Sequence, residues 1–412
     1  MMHQVIVIGA GVVGISTALE LQRLGHSVRV FDRKGIAAET SAGNAGAFAF
    51  TEVEPLATPG ILRKAPKWLL DPLGPLSIPP AYALQIAPWM FRFWRASRPD
   101  RYRRLLGAQV SLMELSKAAV NRQIDLVDGE SMMQRDGQMQ LYESEAEFRA
   151  SLPTWELRRQ HGIEFELLES PKAIAEKQPG LSPRFTHAGF TPDWMNTIDP
   201  KSWVEHLAQA FRDLGGQIEQ RDVRSLAQTP DGVRVELAVG AEHADKVVVC
   251  AGAWSHHLAR TLGDHIPLET ERGYNTTLPQ GAFDLRMHLT FPRHGFVATR
   301  INGGVRVGGA VELGGLKLPP NFKRAETLLD KAQQFLPGLK TEGGTQWMGY
   351  RPSMPDSIPV IGPAPSAQNV VYAFGHGHLG LTQSAGTAEM VAAMINGLAP
   401  PIPVEVFSAT RF

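Results

Sequence analysis

Apolar positions follow two rhythms along the chain. Val5-Ile6-Val7-Ile8 is a short β-branched run without polar alternation, the pattern of a strand buried on both faces. Ile15, Ala18, Leu19 and Leu21 then recur at helical spacing, Gly25 stops the helix, and residues 28–31 form a second apolar strand ending in Asp32. Farther on, the pattern predicts a long helix over 103–122 and another near 202–214. It predicts strands near 217–223, 233–239, 247–251 and 370–374, the last followed by a helix over 384–396. Runs 296–301 and 305–311 flank Asn302-Gly303-Gly304, a hairpin signal. Section 55–99 is rich in proline and tryptophan and has no clear period. No internal repeat or low-complexity tract interrupts the chain. The pattern predicts an α/β chain with a Rossmann-like half and a second half on an antiparallel or mixed sheet.

Composition narrows the function. The 412 residues carry 41 basic and 41 acidic side chains, so a general nucleic-acid binder, which would want a basic excess, is not expected. The single cysteine, Cys250, leaves no internal disulfide framework or cysteine-rich zinc site, and its predicted strand makes it a packing residue. His256-His257 and His376/His378 lack a matching ligand framework, so no metal is expected. Ser255 and Ser384 lack the G-x-S-x-G elbow of a hydrolase. No run approaches the length of a spanning helix, and the apolar residues near the N-terminus lead straight into glycines rather than a cleavage site. The expectation is a cytoplasmic protein. Segment 84–95, apolar with arginine and tryptophan, could be a core or lid helix, or could touch the inner face of a membrane peripherally.

Glycine is abundant, at 40 residues, and its placement carries chemistry. Gly9-Ala10-Gly11-Val12-Val13-Gly14 joins the first strand to the first helix. Gly9 permits the tight turn, Gly11 lets backbone approach a pyrophosphate, and Gly14 lets helix and strand pack closely. The helix N-terminus, with Val12 and Val13 in its first turn, faces the phosphates, and Asp32 accepts from a ribose. This context predicts a dinucleotide without separating FAD from NAD. Arg33 could favour a 2′-phosphate or simply be solvated. In 39–46, Thr40, Ser41, Asn44, Ala45 and Gly46 could donate to a pyrophosphate or flavin, or form an ordinary turn. A second glycine-rich strand-to-helix turn, Gly375-His376-Gly377-His378-Leu379-Gly380-Leu381-Thr382, lies over 300 residues later.

Together these segments resemble the FAD-dependent D-amino-acid oxidase superfamily, and within it the bacterial D-amino-acid dehydrogenase branch. Further matching segments are Val247-Val248-Val249-Cys250-Ala251-Gly252-Ala253-Trp254-Ser255, Arg272-Gly273-Tyr274, Arg306-Val307-Gly308-Gly309 with Glu312, and Gly349-Tyr350-Arg351-Pro352. D-hydroxyproline dehydrogenases and glycine or sarcosine oxidases look similar at these places. The resemblance implies a two-domain flavoprotein, with the FAD-binding domain built from 1–55, 196–262 and 346–412 and the substrate domain from 56–195 and 263–345. It places adenine near Val223 and the adenosine side of FAD near Ala251, Gly252 and Trp254. Gly349 and the 375–382 turn, including His376, Leu379, Gly380, Leu381 and Thr382, fall to the flavin. With no cysteine near that C-terminal segment, FAD is expected to be non-covalent.

The resemblance also implies oxidation of a D-amino acid, or of a cyclic imino acid such as D-hydroxyproline, by hydride transfer from Cα to flavin N5. Positioning rather than a catalytic side chain then carries the rate. Arg351 is expected to hold the substrate carboxylate, with a structural ion pair as the alternative. Tyr274 could donate to the carboxylate or form wall. His378 could touch substrate or line the flavin face. Oxygen, or a quinone of the respiratory chain, would accept the electrons. The other readings are a glycine- or sarcosine-type oxidase, a flavin-binding subunit of a larger dehydrogenase, and a flavoprotein reduced by nicotinamide. The last would need a second nucleotide fingerprint, which the chain lacks.

Overall fold

The computed structural model describes residues 2–61, 74 and 76–412. Residues 62–73 and 75, part of the proline- and tryptophan-rich section, lie outside the described residues. Two large sheets organise the chain.

The first has six strands, in the order Gln217–Gln220, Ser27–Asp32, Gln4–Ile8, Lys246–Val249, Ala367–Phe374 and Val360–Ala364. All pairs are parallel except the last. Its central strand shows why the opening run has no polar alternation. Val5 and Val7 face a core shared with helices Val12–Arg23, Pro200–Asp213 and Gly380–Ile395. Ile6 and Ile8 face a second core under the small antiparallel sheet of Val223–Thr229, Gly232–Leu237 and Ala241–Ala244. Both faces are dry, so both alternating sets must be apolar.

The second sheet is mixed and has nine strands. Eight run in the order Thr345–Ser353, Glu269–Leu278, Gly304–Leu313, Phe296–Ile301, His288–Phe291, Gln138–Tyr142, His187–Thr191 and Glu166–Leu168, and Leu76–Ser77 pairs alongside Gly304–Leu313. Helix Lys323–Phe335 covers it, packing Leu328, Ala332 and Phe335 into a core with Phe291 and Phe296. The predicted hairpin is present: Asn302 (φ 50°) and Gly303 (φ 74°) form a two-residue turn with both residues left-handed, which matches the twist of the flanking strands.

Two segments fall differently from the expected domain pieces. Strand Thr345–Ser353, grouped above with the FAD-binding pieces, pairs along its length with Glu269–Leu278 in the mixed sheet. Helix Pro99–Leu126, grouped with the substrate pieces, buries Leu105, Leu112, Val120 and Ile124 in the core of the parallel sheet. Gly386 permits its close approach to helix Gly380–Ile395, because a Cβ there would sit 2.6 Å from Ser116 Oγ. The segment expected as a core or lid helix, or as a membrane contact, is helix Ala83–Ala96, which buries Ile86 and Trp89 and exposes Leu84, Phe91 and Trp94. No helix among the described residues is long and apolar enough to cross a membrane.

Candidate cofactor and substrate site

A cavity of about 720 Å³ runs from the carboxyl ends of the parallel strands to the face of the mixed sheet. In a parallel sheet this is where a dinucleotide binds, because the helices that follow the strands point their N-termini there. The walls fit such a group. Ile8, Gly9, Gly11, Val12 and Val13 line it after the first strand, Asp32 and Arg33 after the second, and Ala251, Gly252 and Trp254 after Lys246–Val249. Gly9 adopts φ 113°, and a Cβ on it would meet Cys250 O at 2.4 Å. Gly14 does not line the cavity. A Cβ on it would lie 1.9 Å from Gly9 O, so its absence sets the contact between helix and turn. Neither helix Val12–Arg23 nor helix Gly380–Ile395 is capped by its own N-cap side chain, although Ser41 Oγ accepts from Val12 N–H. First-turn amides have no intrahelical acceptor, and at these two helices they border a space large enough for an anionic ligand.

Asp32 is held by three backbone amides: Ala10 N–H donates to Oδ2 (2.9 Å), and Lys34 and Gly35 N–H donate to Oδ1 (2.7 and 2.9 Å). A carboxylate accepts about four bonds, so Oδ2 keeps a site for a ribose hydroxyl. Arg33 is not simply solvated. Its guanidinium lies 3.8 Å from the Trp254 ring centre and pairs with Glu39 at 2.9 Å. Val223 lines the cavity just beyond strand Gln217–Gln220.

Segment 39–46 forms a strap across the cavity, and several of its expected donors are engaged within the protein. Thr40 Oγ1 donates to Tyr350 O (2.7 Å), Asn44 Nδ2 donates to Ser41 O (3.0 Å), and Asn44 Oδ1 accepts from Gly46 N–H (2.8 Å). Ser41 Oγ accepts from Val12 N–H at 3.0 Å. These groups shape the strap before any ligand arrives. Thr40, Ser41, Asn44 and Ala45 still line the cavity, while Gly46 turns away at φ 66°. The strap is anchored by residues given no role from the sequence. Arg306 donates to Asn44 O (2.5 Å) and Thr277 Oγ1 (2.8 Å), and Asn275 Nδ2 donates to Gly43 O (2.7 Å). Burial lowers the Arg306 pKa to about 10.

In the second turn, Gly375, His376, Gly377, His378, Gly380 and Leu381 line the cavity. Leu379 and Thr382 do not. Leu379 packs with Ala49, Val53 and Trp194, and Thr382 Oγ1 accepts from Ala49 N–H at 2.9 Å. His376 is paired with Thr387 Oγ1 at 2.9 Å and burial holds it neutral, with a pKa of about 3. Cys250 is buried, which pushes its thiol up to about 12.

The substrate end is built by side chains. Glu271 and Arg351 stand opposite each other on paired strands, and both line the cavity. Gly273 makes the guanidinium's room, because a Cβ there would meet Arg351 Nη2 at 2.3 Å. Arg351 donates to Ala310 O at 3.2 Å, and among the described residues no carboxylate comes within 4.0 Å of it, so a structural ion pair does not account for it. Burial lowers its pKa, and the nearby Glu271 charge opposes this. Gly349 lines the cavity under Trp347, whose ring a Cβ would meet at 2.0 Å. His378 lies deep in the molecule, yet its ring has accessible surface because it faces the cavity. Burial, then Arg351, lowers it to about 4. Tyr274 is wall. Its hydroxyl donates to Glu312 Oε1 (3.1 Å) and accepts from Asn321 N–H (3.0 Å). Glu312 in turn pairs with fully buried Arg272 at 3.0 Å. Trp194, His288, Thr290 and Phe296 complete this end.

Comparison with known proteins agrees with this architecture. A D-amino-acid oxidase of Bradyrhizobium diazoefficiens is 35% identical, covering 100% of this chain and 99% of its own. A D-amino acid dehydrogenase of Sinorhizobium medicae is 32% identical over 95% and 96%. Glycine oxidase from Geobacillus kaustophilus shares the fold with a TM-score of 0.79 at 18% identity, covering all of both chains. L-proline dehydrogenase from P. horikoshii gives 0.76 at 19%, covering 100% of this chain and 98% of its own. The family described as DAO, FAD dependent oxidoreductase, matches residues 4–394. FAD is therefore the cofactor, and the chain belongs to the DAO family of FAD-dependent oxidoreductases.

Proposed function

We propose that this enzyme oxidises the Cα–N bond of a D-amino acid, giving an imino acid. The observation that carries the reading is half-buried Arg351, whose guanidinium opens onto the cavity with one protein acceptor and, among the described residues, no acid at ion-pair distance. A guanidinium taken out of water calls for an anion, and a planar carboxylate matches its paired donors. The full-length relatives named for D-amino acids favour that stereochemistry. FAD, when bound, accepts the hydride. The chain's own residues orient the substrate: Arg351 holds its carboxylate, neutral His378 borders its amine, and Trp194 and Phe296 bound its side chain. Cyclic imino acids such as D-hydroxyproline belong to the same class. Non-covalent FAD is the reading because the single cysteine, Cys250, lies far along the chain from the C-terminal flavin segment at 375–382.

Anaerobic mixing of the yellow protein with D- and L-amino acids, glycine, sarcosine and hydroxyproline isomers tests the reading. Bleaching with D-isomers is expected, and bleaching confined to glycine, sarcosine or L-isomers would overturn it. Re-oxidation by air or quinone identifies the acceptor. Exposed Leu84, Phe91 and Trp94 favour a membrane quinone. Co-sedimentation with anionic vesicles checks that choice.

A further inference from the structure

Behind the substrate end lies a second cavity of about 20 Å³, enough for one water. It shares Leu56, Glu271, Gly375, His376, Gly377 and His378 with the main cavity, so the two meet beside Glu271 and His378. Its wall is polar. Ser353 is 4% exposed, and among the described residues its Oγ makes no hydrogen bond, although it stands close enough to Glu271 to hold that carboxyl's pKa down. Buried hydroxyls without partners are rare, and a polar cavity beside one is where a bound water belongs. On the far side stands half-buried Glu54, whose Oε1 accepts from Tyr102 OH at 2.9 Å.

The chemistry supplies a need for this path. An amino acid arrives largely as an ammonium, and hydride can leave Cα only once the nitrogen lone pair is free. One proton must therefore leave an enclosed site. We propose that Glu271 takes this proton and that a water held by Ser353 Oγ passes it to Glu54 and out of the protein. The proposal rests on the function assigned above.

The geometry suits each role. Glu271 faces Arg351 across paired strands, and the amine is one carbon from the carboxylate that Arg351 holds. Burial raises the Glu271 pKa, against the opposing effects of Arg351 and the Ser353 hydroxyl, so its carboxylate becomes a better proton acceptor. The other groups around the small cavity come from every element that borders it. His376 and His378 stay neutral through burial, Arg351 stays charged, and Gln109 carries no charge. Burial and Glu54 raise the Tyr102 pKa, so its hydroxyl keeps its proton. Glu271 and Glu54 are left as the exchanging pair. One N–H bond breaks and one O–H bond forms on Glu271, with the bonding electrons staying on nitrogen. The hydride later carries two electrons to the flavin, and no other oxidant is required.

The test follows flavin bleaching by rapid anaerobic mixing in the holoenzyme across pH, with the substrate found in the panel. Glu271→Gln should slow bleaching at least about tenfold near pH 7 and recover to within about threefold near pH 10, where the amine arrives deprotonated. Glu54→Gln should show the same recovery from a smaller loss, about threefold. A purely structural role would slow bleaching equally at every pH, and that result would overturn the relay. If Glu271→Gln loses FAD, Ser353→Ala removes only the hydroxyl and is read the same way. A high-resolution crystal structure gives a readout independent of turnover. A water between Ser353 and Glu271 is expected, and a dry cavity overturns the proposal whatever the substrate is. Failure of the unmodified enzyme to bleach with any D-amino acid refutes the function instead.

Discussion

The two ends of the main cavity are made from different parts of the chain. At the dinucleotide end the wall is mostly backbone: glycines, first-turn helix amides and a strap whose side chains bond main-chain groups. At the substrate end it is side chains on one sheet, with Arg351 and Glu271 facing each other across strands. A backbone site fails when an atom is added, because nothing can move aside. A side-chain site fails when an atom is removed.

The sharpest break in that contrast should come from Gly14→Val. Its Cβ would lie 1.9 Å from a backbone oxygen, a clash worth about 3 kcal/mol or more. We expect little folded protein and almost no bound flavin, measured as the flavin-to-protein ratio. Full flavin content would show that the turn is not sterically closed. Arg351→Lys is the counterpart. It should keep FAD but lower kcat/KM at least tenfold, since a bidentate charged contact contributes about 1.5–3 kcal/mol. Unchanged kinetics would remove Arg351 from carboxylate binding.

A smaller effect concerns His376, which lines the dinucleotide end but anchors to Thr387. Its folded pKa, about 3, lies below the unfolded value near 6.5. The unfolded chain therefore takes up the proton first, and stability is lost as pH falls below about 6.5 toward 3. The loss is up to about 1.4 kcal/mol per pH unit. His376→Gln should bind FAD and show a shallower decline of Tm over that window. An equally steep decline would assign the acid sensitivity elsewhere, for example to buried His288. The smallest change is expected from Tyr274→Phe. It leaves Glu312 and Asn321 short of one partner, costing about 1–2 kcal/mol in denaturant melts, while KM stays within about threefold. A large rise in KM would return Tyr274 to the substrate.

The same contrast explains what was legible in the sequence. The turns at 9–14 and 375–380 are local, so spacing alone exposes them, and the helices and strands around them fall close to their predicted positions. Which residues of the second turn face the ligand was less legible. At about 100° per residue, Gly380 and Leu381 face the cavity while Leu379 and Thr382 pack behind it. Asn275 and Glu271 gave no local signal, and Arg306 stood out only as part of a family-like segment without a role. Their placement depends on register among strands Glu269–Leu278, Gly304–Leu313 and Thr345–Ser353, which meet only in the folded sheet. The helix at 83–96 was anticipated, but its role was not legible, because its exposed face carries Leu84, Phe91 and Trp94 in place of polar residues.

The order of strands in the parallel sheet has a consequence during synthesis. Val5 pairs with Lys246, and Val247 pairs with Val370. At about 5–20 residues per second, the first strand waits roughly 10–50 s on the ribosome for its inner neighbour. It waits longer still for the layer to close. Through that interval an apolar run made for burial on both faces has one paired edge at most. The nascent chain is therefore a natural client for chaperones, and an internal stop anywhere before residue 367 leaves this sheet unfinished.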